Sequence, residues 1–194
     1  MSDNYDWVEE VPIPSKWVSA EMVRELRDTF VVRDEDLYMM TYPKSGTNWL
    51  VEIVCLIHSK GDPTWIKTLS IDKRVPWIEI GECSRELKNK EDPRLITSHL
   101  PVQLFPKSFF CSKAKMIYLL RNPRDALVSG YYFLCALNYI KKSESLEGFF
   151  KDFIQGNGIV GDWKDHFTVA QAEEFDKIFE EKMADFPKEL FPWE

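Results

Sequence analysis

Short apolar runs alternate along the chain with segments whose apolar residues recur at helical spacing. Three runs have the length and composition of buried strands: residues 36–41, 94–98 and 115–120. Helical spacing predicts helices at four places: residues 19–30, 50–58, 123–137 and roughly 146–155. Residues 61–92 show neither period clearly and are predicted to be rich in loops. Strands that alternate with helices predict an α/β fold, with a mainly parallel sheet and helices on both faces.

The segment after the first of these predicted strands has the form of an anion-binding turn. Residues 43–47 read Pro-Lys-Ser-Gly-Thr and lead into a helix, whose first N–H groups and positive dipole end favour an anion. Gly46 permits close approach of the backbone, and Lys44 adds a mobile positive charge. The hydroxyls of Ser45 and Thr47 are further hydrogen-bond donors. The alternative is an ordinary strand–turn–helix connection that binds nothing.

A basic residue stands at the end of the third of these predicted strands. Residues 121–125 read Arg-Asn-Pro-Arg-Asp and open the next helix, with Asn122 as a good N-cap and Pro123 at the favoured first position. Arg121 therefore follows the carboxyl end of a strand, which is where open α/β sheets bind their ligands. The alternative is a solvated helix cap without a ligand.

A histidine follows the second of these predicted strands, within the wording Ser-His-Leu-Pro at residues 98–101. Histidine titrates near neutral pH, so His99 is suited to take the proton of a reacting hydroxyl as a general base. The alternative is a hydrogen-bonded structural histidine at a strand end.

In this order the three motifs resemble those of the cytosolic sulfotransferases. Stretches at residues 33–36, 58–62 and 104–110 are most similar to the hydroxysteroid (alcohol, bile-salt) branch of that family. The resemblance implies a P-loop-like nucleotide-binding fold and transfer of a sulfuryl group from 3′-phosphoadenosine 5′-phosphosulfate (PAPS) to the hydroxyl of a steroid, bile acid or similar apolar alcohol. It also implies in-line transfer without a metal, with His99 as the base and Lys44 at the bridging oxygen of the leaving phosphate.

The resemblance also implies which residues contact the two ligands. Arg121 and Ser129 would hold the 3′-phosphate, and Trp49 would stack on the adenine, although a helix tryptophan is otherwise a core residue. The implied cofactor-binding residues are Lys44, Ser45, Gly46, Thr47, Asn48, Trp49, Arg121, Ser129 and Gly158. The implied acceptor-binding residues, each of which could equally be plain core, are Trp77, Phe133, Leu134 and Leu137.

Composition limits the range of functions. The 194 residues are 44% hydrophobic, which is enough for one sizeable core and a single domain over residues 1–194. A net charge of −7 gives no general attraction to nucleic acid or to an anionic membrane. The acidic N-terminus is unlike a signal peptide, and no apolar run is long enough to span a membrane. Four widely spaced cysteines without a paired motif predict reduced thiols and a cytoplasmic protein.

The family pattern is interrupted at residues 156–158. The resemblance covers residues 1–156 and 158–194, and about ninety family residues are missing between these blocks. In relatives an Arg-Lys-Gly sequence at this junction clamps the 3′-phosphate, and here only Gly158 remains, so cofactor binding would be weakened by orders of magnitude. Two hypotheses follow: an active PAPS-dependent sulfotransferase, or a catalytically impaired isoform that binds nucleotide weakly or pairs with full-length subunits. A P-loop kinase is disfavoured, because the lysine precedes the only glycine of the turn.

The segment after the interruption carries two overlapping patterns. The family's short homodimerisation motif, which implies a homodimer, matches four residues: Lys164, Thr168, Val169 and Glu173. Thr168 and Gln171 also form a capping box at the start of a predicted helix. Both interpretations can hold together.

Overall fold

The chain divides into two compact units. The computed structural model describes five segments: residues 5–15, 17–91, 93–137, 145–152 and 168–191. The first unit comprises Met1–Tyr42 and Gly46–Leu119, and the second comprises Pro43–Ser45 and Leu120–Glu194. Within the five described segments, no helix is long and apolar enough to cross a membrane.

The first unit begins with a hairpin that the hydrophobic pattern did not predict. Strands β1 (Tyr5–Val8) and β2 (Val11–Pro14) pair antiparallel around a turn at Glu9 and Glu10. Both glutamates have positive φ angles, of 47° and 67°, and the turn therefore lacks the glycine or asparagine that usually marks a two-residue hairpin loop. The prediction that residues 36–41 form the first strand is wrong, because two strands precede it.

A three-stranded parallel sheet forms the rest of the β-structure described in the first unit. Its strands are β3 (Leu37–Thr41), β4 (Leu95–Ser98) and β5 (Lys115–Leu119), in the spatial order β4-β3-β5. The three predicted strands and their parallel arrangement are confirmed, with ends that differ by at most one residue. Because the strands are parallel, their carboxyl ends lie at one edge of the sheet.

Helices connect the strands and follow them. Within the described segments the α-helices are α1 (Ala20–Thr29), α2 (Thr47–His58), α3 (Thr64–Thr68), α4 (Ile71–Arg74), α5 (Gly81–Asn89), α6 (Pro123–Ala136), α7 (Leu146–Asp152) and α8 (Val169–Met183), and short 3-10 helices lie at Val102–Leu104, Lys107–Cys111 and Lys188–Leu190. The four helices predicted before residue 156 are confirmed with shifted ends, and the predicted extension of α7 beyond residue 152 lies outside the described residues. The loop-rich prediction for residues 61–92 is wrong, because α3, α4 and α5 lie there. These helices have five, four and nine residues, which is too short for a clear helical period.

Both faces of the central strand β3 are buried. Tyr38 and Met40 belong to an apolar cluster with Leu26 of α1, whereas Met39 packs in a second cluster with Val51 of α2. Successive residues of a strand point to opposite faces, so helices cover both sides of β3 as predicted. This central position fixes the carboxyl end of β3 in the interior of the unit.

The edge strand β5 is less covered than the prediction implied. Residues 115–118 are exposed, and Tyr118 retains 57% of its accessible surface. Within the described part of the chain, the central strand β3 is therefore covered on both faces, whereas four residues of the edge strand β5 are exposed.

A buried ion pair fastens β3 to β4 at the edge opposite their carboxyl ends. Arg94 donates from Nε to Oδ1 of Asp36 at 2.7 Å and from Nη2 to Oδ2 at 2.5 Å. The same guanidinium donates to the carbonyl oxygens of Leu87 and Val31, and both ionised side chains are fully buried. Since each charge is paired and hydrogen-bonded, this pair fixes the register of the two strands.

The second unit contains α6, α7 and α8. The predicted N-cap of α6 is confirmed: Oδ1 of Asn122 accepts a hydrogen bond from a backbone N–H two residues later, and Pro123 occupies the first helical position. Leu127, Phe150 and Phe175 contribute one residue from each helix to a shared apolar cluster. The core of this unit is therefore formed between the three helices.

Helix α8 begins with the predicted capping box. The Thr168 hydroxyl accepts from the Gln171 backbone, and the Gln171 side chain accepts from the Thr168 backbone. Thr168 and Glu173 are exposed. Lys164 and the Val169 side chain lie outside the described residues, so the homodimerisation motif stays a prediction.

Candidate active site

Helix α2 begins without a side-chain cap. Its N-cap, Gly46, has a φ angle of 102°, in the left-handed region that glycine adopts without strain. The backbone N–H groups of Thr47, Asn48 and Trp49 have no partner within the helix, because they belong to its first turn. These donors and the positive end of the helix dipole make the start of α2 suitable for a phosphate or sulfate group.

Trp49 projects from this first turn into solvent. Its exposed fraction is 68%, so it is not the core residue that a tryptophan on a helix usually is. Asn48 beside it is also exposed. An exposed indole ring at an anion-binding helix start can stack on a nucleotide base, which is the role predicted for it.

A chain of hydrogen bonds joins the start of α2 to His99. The hydroxyls of Thr47 and Thr41 lie 2.6 Å apart, and Nδ1 of His99 lies 3.1 Å from the Thr41 hydroxyl and 2.7 Å from the Thr41 carbonyl oxygen. Because a carbonyl oxygen can only accept, Nδ1 carries the proton of the neutral ring. The basic lone pair is therefore on Nε2, and His99 is in the tautomer that a general base requires.

Two residues of the segment before α5 also contact His99, one at its ring and one at its backbone N–H. The Trp77 ring lies 4.5 Å from the imidazole, measured between ring centroids. Glu79 accepts a hydrogen bond from the His99 backbone N–H through Oε1 at 2.8 Å. Burial raises the pKa of the Glu79 carboxyl to about 7, although the hydrogen bond from His99 lowers it.

The motifs identified in the sequence did not include Thr41 or Glu79. Thr41 is the last residue of β3, and a hydroxyl at the carboxyl end of a central parallel strand was a usable signal. Glu79 is a lone acid between apolar residues in the run Val-Pro-Trp-Ile-Glu-Ile at 75–80. The carboxyl group of an acid in such a run is either exposed on one face of a strand or buried with a hydrogen-bond partner. The sequence does not distinguish these two cases.

In the second unit, two basic residues lie together. Arg121 donates from Nη1 to the Lys44 carbonyl oxygen at 2.8 Å. Lys44 has a φ angle of 66°, which is uncommon for a residue with a side chain and occurs often at functional turns. Burial lowers the pKa of Lys44, and the positive charge of Arg121 lowers it further. A pair of cations held this closely without a carboxylate partner among the described contacts favours an anionic ligand.

The other predicted contact residues occupy different environments. Ser45 is buried, and Ser129 lies half-buried on α6. Phe133 and Leu137 are about two-fifths exposed, whereas Leu134 is buried in the apolar cluster of the second unit. The Lys44 ammonium lies 4.0 Å from the centre of the Phe133 ring. Gly158 lies outside the described residues.

Known proteins with similar sequences belong to one family. A family model described as "Sulfotransferase domain" matches residues 34–161 and 157–187. The chain is 41% identical to the 3-beta-hydroxysteroid sulfotransferase of Cavia porcellus over 285 positions, which cover 100% of this chain and 99% of that protein. The chain belongs to the sulfotransferase family. Human Sulfotransferase 2A1 is 40% identical to this sulfotransferase over 285 positions that cover both proteins completely.

A solved structure agrees with the fold of this sulfotransferase. Mouse sulfotransferase SULT7A1, complexed with PAP, superposes with a TM-score of 0.64 at 29% identity. The superposition covers 96% of this chain and 66% of the mouse chain. The α/β sulfotransferase fold is therefore present in the described residues.

This sulfotransferase is shorter than the relatives it matches. The alignments span 285 positions and the chain has 194 residues, so at least 91 of the aligned positions have no counterpart in it. The two segments that match the family model overlap at residues 157–161. The chain spans just under two thirds of the length of the mouse structure.

Proposed function

We propose that this sulfotransferase moves a sulfuryl group from PAPS to the hydroxyl of a steroid, bile acid or similar apolar alcohol, with His99 as the base. The main support is the series of hydrogen bonds from Thr47 through Thr41 to His99. It joins the start of α2, which is suited to an anion, to a neutral imidazole that has its proton on Nδ1 and its lone pair on Nε2. The names of the relatives, which are hydroxysteroid sulfotransferases, support the acceptor class. The PAP in the mouse structure supports the cofactor, because PAP is what PAPS becomes when it loses its sulfuryl group.

The proposed cofactor is a nucleotide that is phosphorylated at two positions. We assign the 5′-phosphosulfate to Lys44, Ser45 and the N–H groups at the start of α2, and the 3′-phosphate to Arg121 and Ser129. Trp49 would stack on the adenine. Bound PAPS supplies an activated sulfuryl group on a phosphate that can leave.

The residues of the chain then supply the proton chemistry and the charge. Nε2 of His99 takes the proton of the acceptor hydroxyl, and the Thr41 carbonyl stabilises the imidazolium through Nδ1–H. Lys44 stabilises negative charge on the leaving phosphate, and the proposal includes no metal ion. Trp77, which contacts the His99 ring, would border the acceptor alcohol.

We also propose a cytoplasmic location and a homodimer. The four cysteines are free thiols, which supports a reducing compartment: Cys55, Cys83, Cys111 and Cys135. The exposure of Thr168 and Glu173 at the start of α8 supports a contact with a second copy through the motif predicted there.

Replacement of His99 tests the proposed base. Transfer from PAPS to a 3-hydroxysteroid is measured for the wild type, His99→Ala and the control His58→Ala, whose side chain is exposed at the end of α2. We expect His99→Ala to lower kcat by about 10²- to 10⁴-fold, because the general base is lost, and His58→Ala to leave it unchanged.

Binding is measured separately, by calorimetric titration with PAP. We expect the wild type and both histidine variants to bind PAP equally, because no phosphate contact is assigned to His99. A folded wild-type protein that does not bind PAP would contradict the proposed function. Equal turnover by the two histidine variants would contradict the role of His99.

A further inference from the structure

The segment that contains Trp77 and Glu79 is fastened to β4 by its backbone. Thr97 of β4 donates to the Pro76 carbonyl at 3.0 Å and accepts from the Ile78 N–H at 3.1 Å. Trp77 and Thr97 form a parallel bridge. Residues 76–78 therefore form one isolated parallel bridge beside β4, and its two main-chain hydrogen bonds hold this segment next to the strand that ends at His99.

The carboxyl group of Glu79 is buried, and its hydrogen bonds do not fully offset the free energy lost when it is removed from water. The residue is 5% exposed, and Oε1 accepts from the His99 N–H at 2.8 Å. Oε2 is buried and forms no direct hydrogen bond within the described residues, although the Ser98 side chain lies close enough to the carboxyl group to lower its pKa. A buried carboxyl group with one unsatisfied oxygen is destabilising relative to an apolar side chain of the same size, so its presence calls for a role outside stability.

The partner of Glu79 indicates what that role is. His99 is the first residue after β4, where the ladder of hydrogen bonds to β3 has ended and a backbone N–H needs another acceptor. Glu79 provides that acceptor, Thr41 holds Nδ1, and Trp77 packs against the ring. The three contacts fix the backbone, the tautomer and the ring plane of His99, respectively.

We propose that Glu79 is a positioning residue for His99, because its carboxyl oxygen holds the His99 backbone so that Nδ1–H stays on the Thr41 carbonyl and the lone pair stays on Nε2. This inference rests on the proposed role of His99 as the base. Glu79 acts through His99 and exchanges no proton with the acceptor alcohol. A neutral side chain with an oxygen in the same place should therefore replace it.

The test compares Glu79→Gln with Glu79→Met. The glutamine keeps a carbonyl oxygen that accepts the His99 N–H, whereas the methionine has similar volume and no such acceptor. We expect Glu79→Met to lower kcat by about ten- to a hundredfold with KM for PAPS unchanged, and Glu79→Gln to retain at least a third of kcat. Glu82→Met, at an exposed position on α5, is the matched control and should keep wild-type turnover. If Glu79→Met does not fold, Glu79→Asp replaces it, because it withdraws the carboxyl group by one methylene.

A second measurement determines the tautomer of His99 directly and does not depend on catalytic turnover. Nitrogen-15 NMR of the imidazoles, assigned with His99→Ala, should show the Nδ1–H tautomer of His99 in the wild type and Glu79→Gln. It should show a mixture of tautomers in Glu79→Met. An unchanged His99 spectrum in Glu79→Met, or wild-type kcat in that variant, overturns the inference. A wild type that transfers no sulfuryl group from PAPS contradicts the proposed function instead, and the spectra then still decide whether Glu79 positions His99.

Discussion

One backbone oxygen decides the chemistry of His99. The two tautomers of a neutral imidazole differ little in energy in water, so a single hydrogen bond of about 1 kcal/mol is enough to select one of them. The Thr41 carbonyl lies 2.7 Å from Nδ1 and makes that selection. Thr41 is itself fixed as the last residue of a buried strand, so the tautomer of His99 depends on main-chain geometry.

The buried carboxyl of Glu79 should make the stability of the fold depend on pH. Burial raises its pKa from 4.5 to about 7, so the folded protein binds this proton more tightly than the unfolded chain. Stability from this group is therefore greatest below pH 4.5 and falls as the pH rises through 7, by up to about 3 kcal/mol. Urea unfolding of the wild type and Glu79→Gln between pH 5 and 8 measures this loss. If the free energy of unfolding changes with pH in the same way for the two proteins, Glu79 does not titrate in this range.

The carboxyl and amino ends of the strands have different tasks. Thr41 and His99 lie at the carboxyl ends of β3 and β4, where the proposed reaction takes place. Asp36 and Arg94 precede the same two strands, where a buried ion pair fixes their register. The buried ion pair and the proposed site are thus separated along each strand by only five positions.

Replacement of Arg94 by methionine should destabilise the first unit. The change leaves the Asp36 carboxylate buried without its cation, which costs about 3–5 kcal/mol. The double variant Asp36→Leu/Arg94→Met should cost less than Arg94→Met alone, because no unpaired charge remains. Urea unfolding of both variants measures the difference.

An exposed ion pair provides the control for this prediction. Lys107 and Asp28 form an ion pair with both side chains more than half exposed, and Lys107→Met should leave stability nearly unchanged. A loss of stability for Lys107→Met as large as that for Arg94→Met would contradict the argument from burial.

The whole chain is about 91 positions shorter than the curated relatives it matches. The family resemblance places an Arg-Lys pair before Gly158, and the chain has Gly156 and Asn157 there. Each charge-assisted hydrogen bond to a phosphate is worth about 1.5–3 kcal/mol, so we expect the chain to bind PAP more weakly than a relative that has the two cations. Within the described residues, positions 115–118 of β5 are exposed.

Restoration of the two cations should recover part of the affinity for PAP. We expect Gly156→Arg/Asn157→Lys to bind PAP at least tenfold more tightly than the wild type, by calorimetry at fixed salt. The uncharged pair Gly156→Ala/Asn157→Gln is the control and should not gain affinity. Equal affinities for the two double variants would mean that these positions do not reach the 3′-phosphate.

The local patterns of the chain predicted much of the fold. The apolar runs at β3, β4 and β5 predicted the parallel sheet, and Asn122 and Pro123 predicted the start of α6. The hairpin at Glu9 and Glu10 was missed because its turn lacks the usual residues. Helices α3 to α5 were missed because they are too short for the hydrophobic period of a helix to be recognised in their sequences.

The sequence by itself determined the family, the three parallel strands, and the glycine-containing turn that starts α2. These features depend on neighbouring residues, which a linear pattern records. Only the tertiary structure decided the tautomer of His99, the exposure of Trp49 and the burial of Glu79. Each of these depends on which distant segments pack together: Thr41 and His99 are 58 positions apart, and Glu79 and His99 are 20 apart.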